Sequence, residues 1–287
     1  MMINSYRKSM PLLKELYEDI YFIIRFVWLF LANGFKVKTV LFYPEFPSKR
    51  TILYKVLKGL NYNITNNPKF NYQVSIYWEN QTFRKPASEL KVFDENTVNR
   101  NCIDISKIFV DEKHKEVFGY NTQVNPLIHQ GNFVKKNDLN ALHDGEILKG
   151  PISNNEEGFI YQILIDNTEG DFVNDLRIPI FNGEIPYVVI RSRKIEERFG
   201  GGSQKSGVKK VEEVFSEEEV GLIQKFSKSI GLDCGDLDIL RDNASQKIYI
   251  VDANPTTWGP PKGLSKENQQ KTLQILSDLF EKHFINS

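Results

Sequence analysis

The spacing of apolar residues over the first hundred positions predicts a βαβ unit. Residues 37–43 and 73–78 have strand patterns, and residues 48–60 have the period of a helix with Ser48 as its N-cap. Two strands joined through a helix are expected to lie parallel in one sheet. A polar stretch at residues 79–100 follows, so we place a domain boundary near residue 98.

The most apolar segment of the chain, residues 20–32, lies before this unit. It is shorter than the roughly 18 to 20 residues that span a bilayer and it contains Arg25, so we expect no transmembrane helix. No small-residue cleavage pattern follows it, which argues against a signal peptide. Apolar residues surround the predicted helix at residues 17–31, which favours burial in the core; docking on a membrane or a partner is the alternative.

The rest of the chain alternates between helical and strand patterns. Helical spacing occurs at residues 103–118, 216–230 and 266–284, and strand patterns at residues 132–136, 159–165, 175–181, 185–191, 237–240 and 247–251. Asn182 and Gly183 form a strong hairpin signal, and Ser216 with Glu219 forms a capping box. A polar insert at residues 137–158 joins the first two of these strands. The 287 residues therefore predict a mixed α+β or α/β protein with two or three subdomains.

Charge and cysteine content narrow the environment and the partners. Lys plus Arg and Asp plus Glu both number 37, so no overall charge favours nucleic acid as a partner. Cys102 and Cys234 are far apart in the sequence, which favours two core thiols in a reducing compartment over a disulfide or a thiolate metal site. We therefore expect a cytoplasmic protein.

The candidate chemistry is concentrated near the C-terminus, at Asp238, Asp252 and Asn254. Antiparallel pairing of the last two strands would bring the two aspartates together, and alternation puts Asp252 and Asn254 on one face. Carboxylate and amide oxygens suit Mg²⁺, which is usually completed by water and substrate phosphates. Taken alone, Asp252 and Asn254 ahead of Pro255 would fit a turn better than a metal site, and the paired strand with Asp238 reverses this.

With these residues the chain resembles the ATP-grasp superfamily, whose last strands carry Gly-x-Asp, a turn, and Glu or Asp-x-Asn-Pro. Upstream, Asp175-Leu176-Arg177 and the hairpin through Gly183 to Arg191 resemble the Asp-x-Arg strand, glycine turn and phosphate-facing arginine of that family. The resemblance covers about residues 98 to 262. It implies that Arg177 and Arg191 act on phosphate or substrate, and that Asp238, Asp252 and Asn254 hold the metal.

The resemblance also implies a nucleotide site. Its residues would be Lys107, one of Lys135 and Lys136, and the hinge residues Gln162, Ile163 and Ile165. Lys135 and Lys136 face opposite sides of a regular strand, so only one can enter the cleft, and the pattern does not say which.

Three segments depart from the family pattern or lack a secure counterpart. Where the family often has a glycine-rich phosphate-covering loop, residues 137–145 contain one glycine, and their His143 and Asp144 would act on a second substrate or lie in a solvated loop. The glycines at residues 200–202 would cradle an anion or form a linker. Residues 256–262 would meet the acceptor, with Trp258 as a wall, or form a rigid turn.

The implied fold is an ATP-grasp architecture with an N-terminal, pre-ATP-grasp-like βαβ subdomain at residues 1–98. The ATP-grasp domain would span residues 99–287, with a nucleotide lid at residues 99–167 and a metal and phosphate subdomain at residues 168–287. The implied activity uses ATP and Mg²⁺, or Mn²⁺, to convert a small-molecule carboxylate into an acyl phosphate and join it to an amine. The alternatives are a kinase that stops after phosphorylation and a non-catalytic nucleotide-binding or membrane-associated scaffold.

Overall fold

A computed structural model of the chain describes residues 37–200, 204–260 and 263–286, together with Ile20, Ile24, Val27, Trp28, Phe30 and Leu31. Three β-sheets occupy successive parts of the described chain, which is a mixed α and β architecture as the sequence predicts. We call them the N-terminal sheet, the lid sheet and the large sheet.

The N-terminal sheet contains the predicted parallel βαβ unit. Its elements are β1 (Thr39–Pro44), α1 (Ile52–Gly59), β2 (Asn63–Thr65) and β3 (Val74–Trp78), and its strand order is β2-β1-β3 with both pairings parallel. The prediction of Ser48 as N-cap is wrong. Thr51 is the N-cap, because the Ser48 carbonyl accepts the Thr51 amide at 2.9 Å and so closes a turn ahead of the helix.

The lid sheet is antiparallel, with strand order β5-β4-β6. It follows α2 (Lys107–Phe118), which begins at the N-cap Ser106 and ends at Gly119 with φ of 79°. Its strands are β4 (Gly131–Asn137), β5 (Glu146–Gly150) and β6 (Phe159–Ile163). The strand β5 was not predicted, because it lies inside the polar insert and its half-exposed side chains do not alternate between buried and exposed.

The large sheet is antiparallel and has the order β10-β9-β8-β11-β12, with β7 paired to β8. Its strands are β7 (Thr168–Glu169), β8 (Phe172–Phe181), β9 (Val188–Lys194), β10 (Lys205–Lys209), β11 (Cys234–Arg241) and β12 (Ile248–Asn254). The predicted hairpin joins β8 to β9, and Asn182 and Gly183 both have the positive φ that a tight hairpin needs.

Two helices complete the fold. The first, α3 (Glu217–Ser229), has the predicted capping box of Ser216 and Glu219, and α4 (Lys266–Phe280) is followed by a short π-helical segment, Glu281–Ile285. One core lies between the large sheet, α2 and α3, and a second lies between the N-terminal sheet, α1 and α4. Cys102 and Cys234 are buried free thiols, as predicted.

The predicted burial of residues 17–31 is wrong for the residues described there. Ile20, Ile24, Val27, Trp28 and Leu31 are each about half exposed or more. Their spacing puts them on one face of a helix. None of these five residues belongs to either core, and both cores are covered by other helices. The remaining residues of this segment lie outside the described part. No helix in the described ranges is long and apolar enough to cross a membrane.

Candidate functional site

The large sheet has one apolar face and one charged face. The apolar face packs against α2 and α3 through residues such as Leu176, Ile178, Leu237, Ile239 and Ile250. Because alternate residues point to opposite faces, the polar residues between them share the other face. These are Asp175, Arg177, Asp236, Asp238, Asp252 and Asn254. Strand alternation, with a β-bulge between Ile250 and Asp252 that turns these two residues to opposite faces, therefore brings the predicted metal residues and one predicted arginine together on one surface.

Asp238 and Asp252 lie opposite each other on β11 and β12, as predicted. Asn254 lies on the same face and donates through Nδ2 to Asp252 Oδ2 at 3.1 Å. The second oxygen of Asp252, Oδ1, is buried and has no hydrogen-bond partner among the described residues. Burial, with the nearby Asp238 charge, raises the pKa of Asp252 to about 6. An unpaired buried carboxylate oxygen is costly, which suits a position that receives a cation.

Arg177 on β8 forms a two-bond fork with Asp238. Its Nε donates to Oδ1 and its Nη2 to Oδ2, both at 2.7 Å. Burial disfavours both charges, but Asp238 and Asp236 hold the pKa of Arg177 above its usual range, and Arg177 and Arg191 hold the pKa of Asp238 well below its own. Both groups therefore stay ionised inside the cleft.

Two further arginines extend this charged row across β9. Arg191 lies 3.3 Å from Asp175 and 3.5 Å from Asp238, and Arg193 donates to Asp175. The Nε groups of Arg191 and Arg193 are buried without a hydrogen-bond partner in the described part of the chain. Positive charge and unused donors thus lie beside the acidic pair, in an arrangement that can bind an anion with several oxygens.

Lys136 and Lys135 lie on opposite faces of the lid sheet, and only Lys136 belongs to the cleft. Burial, and then the charge of Lys107, lower the pKa of Lys136 to about 8, while Asp252 and Asp175 oppose the shift. Lys135 forms ion pairs with Glu146 and Glu156, which raise its pKa. The predicted choice between the two lysines therefore falls on Lys136, and Lys135 is placed outside the cleft.

Lys107 reaches the same cleft from the first turn of α2. Its Nζ donates to the Leu139 carbonyl at 2.6 Å, and burial lowers its pKa against the opposing charge of Asp252. The predicted position of Lys107 beside the cleft therefore agrees with the geometry.

The predicted hinge lies at the end of β6. Gln162 is buried and donates to Thr122 Oγ1 at 2.6 Å, and the Ile163 amide donates to the Thr122 carbonyl at 2.7 Å. The Ile165 carbonyl accepts from Arg198 at 3.0 Å, whereas the Ile165 amide has no acceptor within the described ranges. Of the three hinge residues, Ile165 therefore has a backbone donor that no described residue uses.

The loop at residues 137–145, which we call the covering loop, connects β4 to β5 and reaches the large sheet. Asn140 donates to the Ala253 carbonyl at 3.3 Å, and Ala253 lies between Asp252 and Asn254. Partial burial lowers the pKa of His143, and the positive charges of Arg193 and Lys107 lower it further. His143 therefore lies close to the cations of the cleft. The loop with one glycine therefore covers the site.

Two other predicted segments are described only in part. Residues 201–203 of the glycine cluster lie outside the described ranges, and Gly200 offers its carbonyl to Arg193 at 3.0 Å. In the segment after β12, Thr256 donates to Asn80 at 3.1 Å and Trp258 pairs with Thr51. Lys262 lies outside the described part. The segment thus connects β12 to the N-terminal sheet and α1.

Comparison with solved structures gives the fold. The ATP-grasp ligase PsnB, in complex with a phosphomimetic variant of a minimal precursor, Mg and ADP, has a TM-score of 0.54 and 11% identity over 86% of this chain and 99% of its own. D-alanine–D-alanine ligase from Bacillus anthracis, in complex with ATP, has a TM-score of 0.52 and 10% identity over 87% of this chain and 96% of its own. No protein-family model and no curated protein sequence match the chain significantly.

This chain has the ATP-grasp fold. The charged face of the large sheet, Lys136 of the lid sheet and the covering loop surround one cleft.

The residues of this cleft fit a hard cation. Asp252 supplies an unpaired buried oxygen, and Asp238 and Asn254 supply further oxygens on the same face. Across the described ranges, no three His, Cys, Asp or Glu residues form a metal-binding group by themselves. Two carboxylates and an amide would hold the ion only together with oxygens of a ligand, which matches the preference of Mg²⁺.

Two residues of this cleft were not assigned a role from the sequence. Asp175 holds Arg191 and Arg193 in place, and burial raises its pKa. Burial also raises the pKa of Asp236 to about 7, although Arg177 opposes the shift. Strand alternation could have identified both residues. Asp175 lies two residues before Arg177 and Asp236 two residues before Asp238, so each shares a face with a predicted site residue.

Proposed function

We propose that this protein is an ADP-forming ligase that uses Mg-ATP to activate a carboxylate as an acyl phosphate and to join it to an amine. The observation that carries the proposal is that a buried, unpaired acceptor and two buried, unpaired donors of the described residues lie near one another on one face of the large sheet. Among the residues that the structure describes, Asp252 Oδ1 is a buried acceptor without a partner, and Arg191 Nε and Arg193 Nε are buried donors without partners. A ligand that combines a cation with phosphate oxygens satisfies both.

The nucleotide would lie between the lid sheet and the large sheet. Its adenine would accept a hydrogen bond from the free Ile165 amide, with Gln162 and Ile163 forming the wall of the hinge. Its phosphates would extend towards Lys136 and Lys107 and end at the arginine row. The neighbours with ADP and Mg, or with ATP, in their structures support this placement.

Asp238, Asp252 and Asn254 would hold Mg²⁺, with Mn²⁺ as the alternative ion. When bound, the ion supplies positive charge between the phosphates and lowers the cost of bringing a carboxylate to a triphosphate. A cation bound at Asp238 would compete with Arg177 for the carboxylate oxygens. The guanidinium donors released in this way would then be available to the phosphates or the substrate.

Two transfers would complete the reaction. A carboxylate oxygen of the first substrate bonds to the γ-phosphorus as the bond to the β,γ-bridging oxygen breaks, and ADP leaves with that electron pair. The amine nitrogen then bonds to the acyl carbon, phosphate leaves with the carbon–oxygen pair, and the amine proton passes to the phosphate. Lys136 and Arg191 hold the transferring group and offset its charge, and no enzyme nucleophile is needed.

The test is an ADP-release screen with pools of carboxylic acids and amines, followed by mass analysis of condensed products. Asp252→Asn should abolish ADP release, because it removes the charge that would hold the cation. Asp171→Asn, at an exposed turn, is the matched control and should keep activity.

Each alternative has its own outcome in that screen. A stable phosphorylated product formed without an amine would replace the ligase proposal with a kinase. Tight ATP binding without turnover over the whole panel would replace it with a non-catalytic role. Condensed product that still forms with Asp252→Asn would contradict the metal assignment.

A further inference from the structure

Three segments from different parts of the fold meet beside the metal strand. Thr82, after β3, accepts the Asn140 amide of the covering loop at 2.9 Å, and Asn140 Nδ2 donates to the Ala253 carbonyl at 3.3 Å. Asn80 accepts from Thr256, after β12, at 3.1 Å. The N-terminal sheet, the lid and the large sheet are therefore joined at this point.

A cavity of about 270 Å³ opens where these segments meet. Seven uncharged residues line it: Asn80, Gln81, Thr82, Phe83, Leu139, Asn140 and Leu142. Its volume is below the roughly 300 to 1,000 Å³ of pockets that enclose a whole drug-sized ligand. The cavity therefore has room for one part of a substrate.

The lining combines amide groups with apolar side chains that remain in water. Phe83 is 56% exposed, Leu139 44% and Leu142 51%, although they face one cavity. A ligand that covers them gains hydrophobic free energy, of the order of 25 cal/mol per Å² of apolar surface removed from water. The side-chain amides of Asn80, Gln81 and Asn140 carry a donor and an acceptor, the two groups that a peptide bond also carries. Asn80 Oδ1 already accepts from Thr256 and Asn140 Nδ2 already donates to Ala253, but each amide has capacity for a further hydrogen bond.

The segment that carries Phe83 is held firmly. The next residue, Arg84, is buried, its amide donates to the Ile103 carbonyl at 2.7 Å, and its guanidinium lies 5.4 Å from the ring centre of Tyr77. Phe83 pairs with Asp104 in an isolated bridge. The exposed ring of Phe83 therefore projects from an anchored segment of the backbone and not from a loose loop.

The cavity is also connected to the cleft. Leu139 lines the cavity while its carbonyl accepts from Lys107, whose pKa responds to Asp252. Asn140 contacts the backbone between Asp252 and Asn254. A substrate part seated in the cavity would lie beside the metal strand.

We propose that this cavity is the acceptor-side subsite and that it takes an uncharged, amide-containing segment with an apolar side chain, as in a peptide, in preference to a free zwitterionic amino acid. The proposal rests on the proposed function, because it takes the neighbouring cleft as the place of reaction. A free amino acid would bring an ammonium and a carboxylate to a lining without charges, where neither ion has a counterion.

The test measures binding and turnover separately. Binding of the uncharged probe N-acetyl-Ala-Leu-Ala-amide and of free leucine is measured by calorimetry without ATP, in the wild type, Phe83→Ala and Phe70→Ala. Phe70 is 59% exposed in a turn that does not line the cavity, so it is a matched control for Phe83. ADP release is then followed with peptides of the same sequence that carry a free carboxylate or amine.

We expect the uncharged probe to bind better than leucine, and Phe83→Ala to weaken it about tenfold while Phe70→Ala does not. Equal or better binding of leucine, or equal affinities of the two variants, would overturn the subsite. Probe binding without ADP release from any peptide would support the subsite and count against the ligase. If Phe83→Ala fails to fold, Leu142→Asp, on the covering loop, should weaken the probe in the same way.

Discussion

Arg177 and Asp238 face each other across β8 and β11 and are joined by two hydrogen bonds of 2.7 Å. The guanidinium and the carboxylate both lie within a mostly buried row of charges, so each depends on the other for its ionised state. The two hydrogen bonds also fix Asp238, a candidate metal-binding residue, and Arg177, a candidate phosphate-binding residue, relative to each other.

Removal of this fork should destabilise the protein. Arg177→Met leaves the Asp238 carboxylate buried without its main partner, and loss of one member of a buried pair costs about 3 to 5 kcal/mol. We expect the free energy of unfolding in urea to fall by about that amount. Lys113→Met, which breaks an exposed pair with Glu116, is the control and should change it by less than about 1 kcal/mol. Similar effects of the two variants would contradict the buried role of the fork.

The two neighbouring lysines should behave differently towards nucleotide. Lys136→Met should weaken ATP and ADP binding about tenfold or more, because it removes a half-buried positive charge from the cleft. Lys135→Met should leave the affinity within about twofold, since Lys135 is paired with Glu146 and Glu156. Titration with a fluorescent nucleotide separates them. A larger effect at Lys135 would mean that the lid meets the nucleotide with its other face.

Stability should depend on pH through His114. This histidine is fully buried and stacks on Phe118, and burial lowers its pKa from 6.5 to about 4, with Asp111 opposing the shift. The unfolded chain binds a proton below pH 6.5 that the folded chain binds only below about 4, so stability is lost as pH falls through this window. The loss should amount to about 3 kcal/mol. His114→Phe should remove this part of the pH dependence; an unchanged slope would rule it out.

The covering loop should depend on the contact between Gly145 and Phe199. A Cβ at Gly145 would come within 2.5 Å of Phe199 Cδ1 and 2.7 Å of Cγ, so Gly145→Ala must displace the ring or the loop. We expect nucleotide affinity to fall several-fold, roughly 1 kcal/mol, with little change in overall stability. Adding Phe199→Ala should restore the affinity to that of Phe199→Ala alone. Independent effects of the two changes would show that the contact does not position the loop.

The sequence predicted the part of the site that follows from alternation at the end of β12 and from its pairing with β11. Asp252 and Asn254 share a face because they are two residues apart, and antiparallel pairing puts Asp252 opposite Asp238. The β-bulge between Ile250 and Asp252, which turns Asp252 away from the apolar face, was not predicted. Alternation also separates Lys135 from Lys136, but which of them enters the cleft depends on how the lid packs over the large sheet. That packing is a tertiary property with no local signal.

Other features were missed because their cause is not local. The strand β5 has no alternation between buried and exposed side chains, since the lid leaves most of its residues in water. Asp236 became notable only through burial, which depends on everything packed around β11. The exposed positions Ile24 and Trp28 show the opposite case, in which an apolar pattern indicates a helix but not whether the rest of the chain can cover it.

The distance along the chain between the members of the fork has a consequence for folding. Arg177 and Asp238 are 61 positions apart, and β11 docks between β8 and β12 after the hairpin of β8 and β9 is complete in the sequence. Contacts of such separation require a long loop to close, so we expect them to form after the local hairpin. We therefore expect the candidate nucleotide cleft to be completed late in folding. Nucleotide would then bind only after the last cooperative step of folding. A bound nucleotide should therefore slow global unfolding and leave local opening of the β8–β9 hairpin unchanged.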